Sequence, residues 1–326
     1  MTHAVAGAVG VIGGTGFIGR RLVAHLAAEG TPVVVITPEA PAAALPAGAR
    51  WISADVCDAT TLTAAMAGLP VVYNLAGAHG LESQPRAVFE ALNVAAAHQV
   101  ADAAARAGVR HLVFTSTARV YGNAVHPAED AACRPTNDYA ITKLAAERIY
   151  AAWRDADAGR RLSIVRPAVV IGPGAHATGG SFLRMIAAPG YALPGAGREH
   201  KAIAYVNNLA AFLAFLRVHD ASDGIFNYAD QPDLELHEIV EIVRTAVGVR
   251  PATRRHWAVD WARATWRTIA RLSAAGETAV GTTERRFDVG RAYATGFLAP
   301  FGLREALAAT AREDVGWMRI LDRQRA

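Results

Sequence analysis

Gly13-Gly14-Thr15-Gly16-Phe17-Ile18-Gly19 forms a glycine-rich turn near the beginning of this 326-residue chain. A short apolar run, Ala8–Ile12, comes directly before it, and Arg20–Glu29 after it shows helical spacing of apolar residues. Glycines at this spacing let the backbone approach a diphosphate, and the helix that follows directs its N-terminus at the negative charge. The order strand, glycine turn, helix therefore predicts a dinucleotide-binding site.

Strand and helix patterns alternate over the first half of the chain. Both faces of the predicted strands are apolar, as in parallel sheets covered by helices. We predict further strands at Val33–Ile36, Val71–Leu75, His111–Thr115 and Leu162–Val165, and helices at Phe89–Ala107 and Asp138–Trp153. The last strand is expected to stop at Arg166-Pro167, because proline interrupts a central ladder. The pattern predicts an α/β fold with a doubly wound parallel Rossmann sheet.

The second half of the chain differs in composition. Residues 171–197 are rich in glycine and proline and are predicted to form loops with one short helix. Short strands are expected at 203–206 and 224–228, and helices at 236–247 and 303–321. We predict a dinucleotide-binding domain over residues 1–170, to which segments near 203–230 return. A smaller C-terminal α/β lobe over 171–326 is expected to bind the substrate.

Composition excludes several classes of protein. The net charge is +4, but no run of lysine and arginine exceeds two residues, so no nucleic-acid-binding stripe is expected. A weak positive bias suits an anionic substrate. The two cysteines, Cys57 and Cys133, show no metal-ligand spacing, so we expect free thiols and no metal site. No signal peptide or integral membrane segment is evident, which indicates a cytoplasmic protein.

Tyr139 and Lys143 lie four residues apart in a predicted helix, and therefore on one face of it. A lysine ammonium beside a phenol is expected to lower the pKa of the phenol, because it favours the charged form. A tyrosine tuned in this way can exchange a proton near neutral pH. Together with the glycine turn, the pair predicts a nicotinamide-dependent enzyme.

The end of the second strand bears on which nicotinamide cofactor binds. An acidic residue there commonly grips the ribose 2′-hydroxyl of NAD, but this chain has Thr37, followed by Pro38 and Glu39. Arg20 and Arg21 follow the glycine turn and are placed to pair with a 2′-phosphate. These residues favour NADP, and NAD remains open because Glu39 can serve it instead.

Further segments follow in a fixed order along the chain. They are Asp55-Val56, Asn74-Leu75-Ala76-Gly77, Asn93, Thr115–Gly122, Arg166-Pro167 with Gly172-Pro173-Gly174, and Ala204–Ala210. Together with the glycine turn and the Tyr139–Lys143 pair, they resemble the extended short-chain dehydrogenases/reductases. The resemblance covers nearly the whole chain. It is to the NAD-dependent epimerase/dehydratase group, which acts mostly on nucleotide sugars.

The resemblance implies roles for individual residues. Tyr139 is the general acid/base, Lys143 lowers its pKa and holds the nicotinamide ribose, and Thr117 supplies the catalytic hydroxyl, with Ser116 as the alternative. Ser116, His79 and Arg198 are expected near the substrate. The cofactor is expected to contact Gly13, Gly16, Phe17, Ile18, Gly19, Arg20, Thr37, Asp55, Val56, Leu75, Ala76, Gly77, Asn93, Tyr139, Lys143 and Pro167.

One departure from the family bears on the reaction. Sugar 4,6-dehydratases of this family carry an Asp-Glu pair just after the catalytic threonine, where this chain has Ala118 and Arg119. We therefore expect an NAD(P)-dependent oxidoreductase or epimerase that acts at a carbinol or keto carbon of a nucleotide sugar, and not a dehydratase. The alternatives are an NADPH-dependent ketoreductase of an apolar ketone and a non-catalytic NAD(P)-binding sensor or assembly protein.

Two regions bear on partners. The family pairs its helices at 89–107 and 138–153 across a two-fold axis, so the resemblance implies a homodimer. Residues 254–271 contain three tryptophans and five arginines. This stretch is interpreted as a lobe helix with core tryptophans, with contact to a membrane surface or an apolar substrate as the alternative.

Overall fold

A computed structural model describes residues 7–78, 84–175, 178–188, 191, 193, 196–249 and 286–314. The chain divides into two compact units. The first comprises Met1–Ala168, Val206–Tyr228 and Phe287–Pro300, and the second comprises Val169–Tyr205, Ala229–Arg286 and Phe301–Ala326. The assignment of the second unit to substrate binding stays a prediction.

The strands are numbered along the chain. They are β1 Val9–Ile12, β2 Val33–Thr37, β3 Ala49–Ser53, β4 Val71–Asn74, β5 His111–Thr115, β6 Arg161–Pro167, β7 Val169–Ile171, β8 His200–Lys201, β9 Ile203–Tyr205, β10 Gly224–Tyr228 and β11 Leu234–Glu235. In the described part of the first unit, seven strands form a parallel sheet in the order β10-β6-β5-β4-β1-β2-β3. The predicted doubly wound Rossmann sheet is confirmed.

The described helices are likewise numbered along the chain. They are α1 Gly19–Ala28, α2 Ala59–Met66, α3 Arg86–Phe89, α4 Ala96–Ala107, α5 Asp138–Asp155, α6 Thr178–Ala187, α7 Val206–Leu216, α8 Leu236–Val247, α9 Gly290–Ala294 and α10 Leu303–Asp314. A π-helical turn, Glu90–Ala95, joins α3 to α4, and a 3-10 turn covers Ala118–Tyr121. In the first unit α1 packs against α7, and α4 packs against α2 and α5.

The apolar pattern of the strands explains this layering. All five residues of β2 and of β5 are buried, so helices cover both faces of the sheet. On one face, Val72 and Phe114 from the sheet join Val100 of α4 and Tyr150 of α5 in one core cluster. Burial of large side chains such as these stabilises the fold by about 1.5–3 kcal/mol each.

The start of α5 is defined by a local cap. Asn137 has extended backbone, and its side-chain oxygen accepts a hydrogen bond of 2.9 Å from the backbone N–H of Ala140. This bond satisfies one of the donors that the first helical turn leaves unpaired. The cap places Tyr139 in the first turn of α5 and Lys143 one turn further along.

Two predictions about individual elements are wrong. The strand predicted to stop before Arg166-Pro167 continues through Pro167. Its pairing with β5 ends at Val165. Because no β5 residue lies opposite Pro167, the absence of an N–H group on the proline breaks no hydrogen bond on that side. The predicted α-helix over residues 89–107 is interrupted by the π-helical turn at Glu90–Ala95. Strand β3 is not predicted from the sequence because it is an edge strand with exposed positions. Helix α2 is not predicted either.

The second unit is built from short strands and helices. Strand β7 pairs in parallel with β9, and β8 pairs antiparallel with β11. Helix α8 packs against α6 and α10. A helix is described over Leu303–Asp314 of the predicted 303–321, and residues 254–271 lie outside the described ranges. None of the described helices combines the length and the apolar character that crossing a membrane requires.

Candidate active site

The glycine turn is shaped by close backbone contacts that exclude side chains. Gly13 has φ +73°, and a Cβ atom there would stand 2.9 Å from the backbone nitrogen of Ala76. A Cβ atom at Gly19 would stand 2.1 Å from the carbonyl oxygen of Gly13. Helix α1 begins at Gly19, so its unpaired N–H groups point to this turn. Such a cradle fits the diphosphate of a dinucleotide.

Arg20 is exposed in the first turn of α1. Its guanidinium carbon lies 5.6 Å from the centre of the Phe17 ring. Gly16 is exposed, and Phe17 and Ile18 are partly buried. The residues predicted to contact the cofactor at the glycine turn therefore lie together at the start of α1.

The hydroxyl of Thr37, at the end of β2, is hydrogen-bonded to neighbouring residues of the protein. Its hydroxyl donates a hydrogen bond of 2.8 Å to the carbonyl oxygen of Glu39 and accepts one of 3.2 Å from the indole N–H of Trp51. Asp55 is exposed after the neighbouring strand β3, and one of its carboxylate oxygens accepts a bond of 2.9 Å from the Cys57 N–H. The end of β2 thus lacks the usual carboxylate for a ribose 2′-hydroxyl.

The segment after β4 is held against α5. The Asn74 amide donates a 2.6 Å hydrogen bond to the Tyr150 hydroxyl, and its oxygen accepts a 3.1 Å bond from the Ala76 N–H. Leu75 and Ala76 are partly buried, and Gly77 is exposed. These bonds fix the segment that is expected to line one side of the cofactor.

Asn93 comes from the π-helical turn and is buried. Its amide donates bonds of 3.0 Å to the Thr142 hydroxyl and 3.2 Å to the Ala78 carbonyl. Its own oxygen has no hydrogen-bond partner among the described residues. A cavity of about 10 Å³ is lined by Asn93, Lys143 and Val56, among others. An orphaned buried oxygen beside the lysine fits a site completed by a bound ligand.

Thr117, Tyr139 and Lys143 meet at the ends of β5 and α5. The Thr117 hydroxyl lies near enough to the Tyr139 phenol to act on its charge. The Tyr139 ring also lies near Phe89, with ring centres 6.3 Å apart. Lys143 is buried, and its ammonium lies 4.1 Å from the centre of the Phe114 ring. The structure thus brings together the hydroxyl, the phenol and the amine that proton transfer at a carbinol oxygen requires.

Burial controls the pKa values of these groups. It raises the pKa of the Tyr139 phenol above its ordinary value, an effect that the Thr117 hydroxyl and the Arg119 guanidinium partly offset. It lowers the pKa of the Lys143 ammonium to about 7, although the charge of Glu147 opposes this change. The prediction that the phenol's pKa is lowered is therefore wrong for the protein alone, because loss of hydration outweighs the nearby positive charge.

The remaining predicted residues lie in different places. Ser116 is buried beside Thr117, but its hydroxyl donates a 2.5 Å hydrogen bond to Glu147. Pro167 is buried at the end of β6. Arg198 is exposed and belongs to the second unit. His79 lies outside the described residues.

Glu147 and Tyr150, near the predicted site, are not singled out from the sequence, and the motifs that contain Arg119 and Arg166 do not predict the contacts of these two arginines. Glu147 and Arg166 form a buried ion pair in which the closest nitrogen and oxygen atoms are 2.5 Å apart. Tyr150 holds Asn74, and Arg119 acts on the charge of Tyr139. The spacing of Glu147 and Tyr150 could have indicated them, because they follow Lys143 by four and seven residues and so lie on the same face of the helix.

Comparisons with known proteins agree with this arrangement. The profile of the family described as "NAD dependent epimerase/dehydratase family" matches residues 9–242. A dTDP-6-deoxy-L-talose 4-dehydrogenase (NAD(P)(+)) from Kitasatospora kifunensis is 33% identical over 232 residues, which are 68% of this chain and 70% of that protein.

Two further similarities extend over more of the chain. An N-acetyl-alpha-D-glucosaminyl-diphospho-ditrans,octacis-undecaprenol 4-epimerase from Escherichia coli O157:H7 is 29% identical over 269 residues, or 78% of this chain and 81% of that protein. The solved structure of MoeE5 in complex with UDP-glucose and NAD superimposes with a TM-score of 0.71 at 27% identity. It covers 97% of this chain and 99% of MoeE5.

Proposed function

We propose that this chain, which belongs to the NAD-dependent epimerase/dehydratase family, transfers hydride at one carbinol or keto carbon of a nucleotide sugar. The chain is an NAD(P)-dependent enzyme of the short-chain dehydrogenase/reductase type. The observation that carries the proposal is that the Thr117 hydroxyl acts on the Tyr139 phenol, with Lys143 buried one helical turn away on α5.

Each of these side chains has a defined part in the proposed reaction. Tyr139 accepts the proton of the carbinol oxygen when the alcohol is oxidised, and returns it when the ketone is reduced. The Thr117 hydroxyl orients the same oxygen and stabilises the charge that develops on it. Lys143 holds the nicotinamide ribose in this proposal. The bound nicotinamide supplies a hydride acceptor or donor.

The proposed substrate and carbon rest on the relatives. Two of them act at position 4 of a sugar according to their names, and MoeE5 is solved with UDP-glucose. We therefore propose epimerisation or oxidation at C4. Elimination of water is not expected, because Ala118 and Arg119 supply neither the acid nor the base that follows the catalytic threonine in the dehydratases.

Product analysis tests this proposal. The protein is incubated with UDP-glucose or UDP-N-acetylglucosamine and with NAD⁺ or NADP⁺, and the sugars are identified by NMR. An epimerase gives the C4 epimer without net formation of reduced cofactor, and a dehydrogenase gives absorbance at 340 nm in proportion to product. A 4-keto-6-deoxy sugar would contradict the exclusion of dehydration. Reduction of apolar ketones alone would replace the proposal with the ketoreductase alternative.

A second candidate substrate is a sugar carried on a polyprenyl diphosphate. It is favoured by the Escherichia coli relative, whose name specifies such a substrate. The sequence adds the tryptophan- and arginine-rich residues 254–271, a composition that suits an apolar chain beside a negative diphosphate. Parallel assays with the UDP-linked and the polyprenyl-diphosphate-linked form of one sugar distinguish the two. Higher kcat/KM for the lipid-linked form would favour this candidate.

We also propose that the site accepts NADP somewhat better than NAD. Support comes from Thr37, a neutral residue that accepts a hydrogen bond from Trp51, and from Arg20, which is exposed in the first turn of α1. Substitution Arg20→Ala is expected to raise the Kd for NADP⁺ about tenfold and leave that for NAD⁺ nearly unchanged, because a charge-assisted bond to the 2′-phosphate is lost. Calorimetric titration measures both, and Arg106→Ala on α4 serves as the control. Equal losses for both nucleotides would contradict this assignment.

We propose that the chain forms a homodimer through α5 and the helical segment Arg86–Ala107. Leu92 and Ile141 on these elements are 38% and 37% exposed, so both present apolar side-chain surface that a partner helix could cover. Sedimentation equilibrium is expected to give twice the chain mass of 34.3 kDa. Substitution Ile141→Glu should shift the mass toward the monomer. A monomeric unsubstituted protein at micromolar concentration would contradict the proposal.

A further inference from the structure

A buried polar network lies directly behind the three proposed catalytic side chains. Its central group is the carboxylate of Glu147, whose side chain is 5% exposed. One carboxylate oxygen accepts a 2.5 Å hydrogen bond from the Ser116 hydroxyl and a 3.0 Å bond from Arg166 Nε. The other accepts a 2.5 Å bond from Arg166 Nη2. The carboxylate is therefore paired on both of its oxygens.

The network continues from Arg166 across the end of the sheet. Arg166 Nη1 donates a 2.7 Å bond to the Tyr121 hydroxyl, and that hydroxyl donates a 2.7 Å bond to the side-chain oxygen of Asn227. Asn227 in turn binds the carbonyl of Pro127 through its amide, at 3.1 Å. The bonds link the ends of β6 and β10 to the 3-10 turn that follows Thr117. A chain of fully paired buried groups of this kind holds its members in one arrangement.

The position of Glu147 relates this network to the reaction. Glu147 is on α5, one turn after Lys143 and two turns after Tyr139, and its partner Ser116 directly precedes Thr117. A single carboxylate therefore joins the helix that carries the phenol and amine to the strand end that carries the hydroxyl. Among the described residues, the charge of Glu147 acts on Lys143, and the Tyr150 hydroxyl lines the same cavity; both residues are on α5, as is Tyr139 one turn before Lys143. The sheet contributes the Phe114 ring, and the π-helical turn contributes the neutral amide of Asn93.

We propose that Glu147 is a positioning residue, which fixes Thr117 relative to Tyr139 through Ser116 and places a negative charge one helical turn from the Lys143 ammonium. This inference rests on the proposed function, since it assigns Glu147 a part in that reaction. The positional effect acts through Ser116 and does not depend on charge. The electrostatic effect depends on charge and acts on Lys143, whose pKa Glu147 raises against the effect of burial.

Two substitutions separate these effects. Glu147→Gln removes the charge, so Lys143 loses its proton at lower pH. NAD⁺ affinity is expected to fall as Lys143 loses its proton, and the pH midpoint of that fall should decrease by about one unit. Ser116→Ala leaves the charge and the Arg166 pair in place. It should leave that pH unchanged but lower kcat about tenfold with little change in KM, because Thr117 is less well held.

Ser163→Ala is the matched control. Ser163 is a fully buried serine on β6, as Ser116 is a buried serine just after β5. It donates a 2.6 Å bond to the Ser222 carbonyl and contacts the His111 ring at 2.8 Å. Its loss removes a buried hydrogen bond of the same kind without touching α5. We expect a similar decrease in thermal stability, with kcat and the pH dependence of NAD⁺ binding as in the unsubstituted protein.

The experiment titrates each protein with NAD⁺ over a pH range that extends at least two units on either side of the Lys143 pKa of about 7, and measures kcat and KM with the UDP-sugar. An unchanged pH midpoint in Glu147→Gln, or a kcat in Ser116→Ala equal to that of Ser163→Ala, would overturn the inference. If Glu147→Gln does not fold because Arg166 is left unpaired, the double variant Glu147→Leu/Arg166→Met removes both charges and should show the same lower midpoint. NAD⁺ binding without turnover of any sugar would refute the proposed function while the binding titration still decides the role of the Glu147 charge.

Discussion

Substitution Tyr139→Phe is expected to lower kcat about a thousandfold while leaving the Kd of the nicotinamide cofactor within a few-fold of its original value. The phenol is the proposed proton acceptor and donor, and positioned acid–base groups contribute about 10²–10⁴ to the rate. The ring itself is retained in phenylalanine, so its packing beside Phe89 is preserved. Steady-state kinetics and calorimetric titration of the cofactor measure the two quantities.

The control for this substitution is Tyr73→Phe. Tyr73 is fully buried on β4, and its hydroxyl lies near Arg217. Removing that hydroxyl tests the general effect of losing a buried phenol without touching Tyr139, and kcat should stay near its original value. If Tyr139→Phe retained most of the turnover, the chain would not use this phenol in catalysis. If the unsubstituted protein bound the cofactor but showed no turnover, and Tyr139→Phe left that binding unchanged, the non-catalytic alternative would be favoured.

Substitution Gly19→Ala is expected to weaken binding of the cofactor by at least about a hundredfold. The added Cβ would stand 2.1 Å from the carbonyl oxygen of Gly13 and 2.8 Å from the Cα atom of Gly14. Both are backbone atoms, so the turn itself must move to relieve the contact. A displacement of about 1 Å in a positioned site can cost about a hundredfold in activity. Calorimetric titration with NAD⁺ and NADP⁺ measures the change.

Gly68→Ala provides the comparison for Gly19→Ala. Gly68 has φ +73°, but no atom lies within 4 Å of the position that a Cβ would take. Alanine there is expected to cost about 1 kcal/mol of stability through backbone strain alone. Cofactor binding should remain unchanged. Equal effects of the two substitutions on binding would mean that the cradle at Gly13 and Gly19 is not where the diphosphate lies.

Local sequence patterns were sufficient for the parts of the fold that depend on neighbouring residues. The strand before Gly13, the turn and the helix after Gly19 follow from periodicity and glycine spacing. The four-residue interval between Tyr139 and Lys143 places both side chains on one helical face. The Asn137 cap then fixes where that face begins.

Features that depend on distant parts of the chain were not accessible from sequence patterns. Pro167 can remain in β6 only because β5 ends opposite Val165, a matter of register between strands far apart in sequence. The π-helical turn that buries Asn93 lies within an alanine-rich segment that reads as a continuous α-helix. The pKa of Tyr139 also depends on its burial, which the spacing of Tyr139 and Lys143 does not reveal.

The buried network illustrates the same limit at the candidate site. The motif around Thr117 predicts that Ser116 binds substrate or substitutes for Thr117. Its partner is a glutamate 31 residues away, and that glutamate pairs with an arginine 19 residues further along. Only the folded arrangement of β5, α5 and β6 brings the three together.

A crystal structure of the chain with bound NAD⁺ or NADP⁺ tests the central claim most directly. We predict that the diphosphate lies over the turn Gly13–Gly19 at the start of α1. The nicotinamide ribose should lie within hydrogen-bond distance of Tyr139 Oη and Lys143 Nζ. A nucleotide bound with its nicotinamide away from Tyr139, or with its diphosphate away from the glycine turn, would contradict the account.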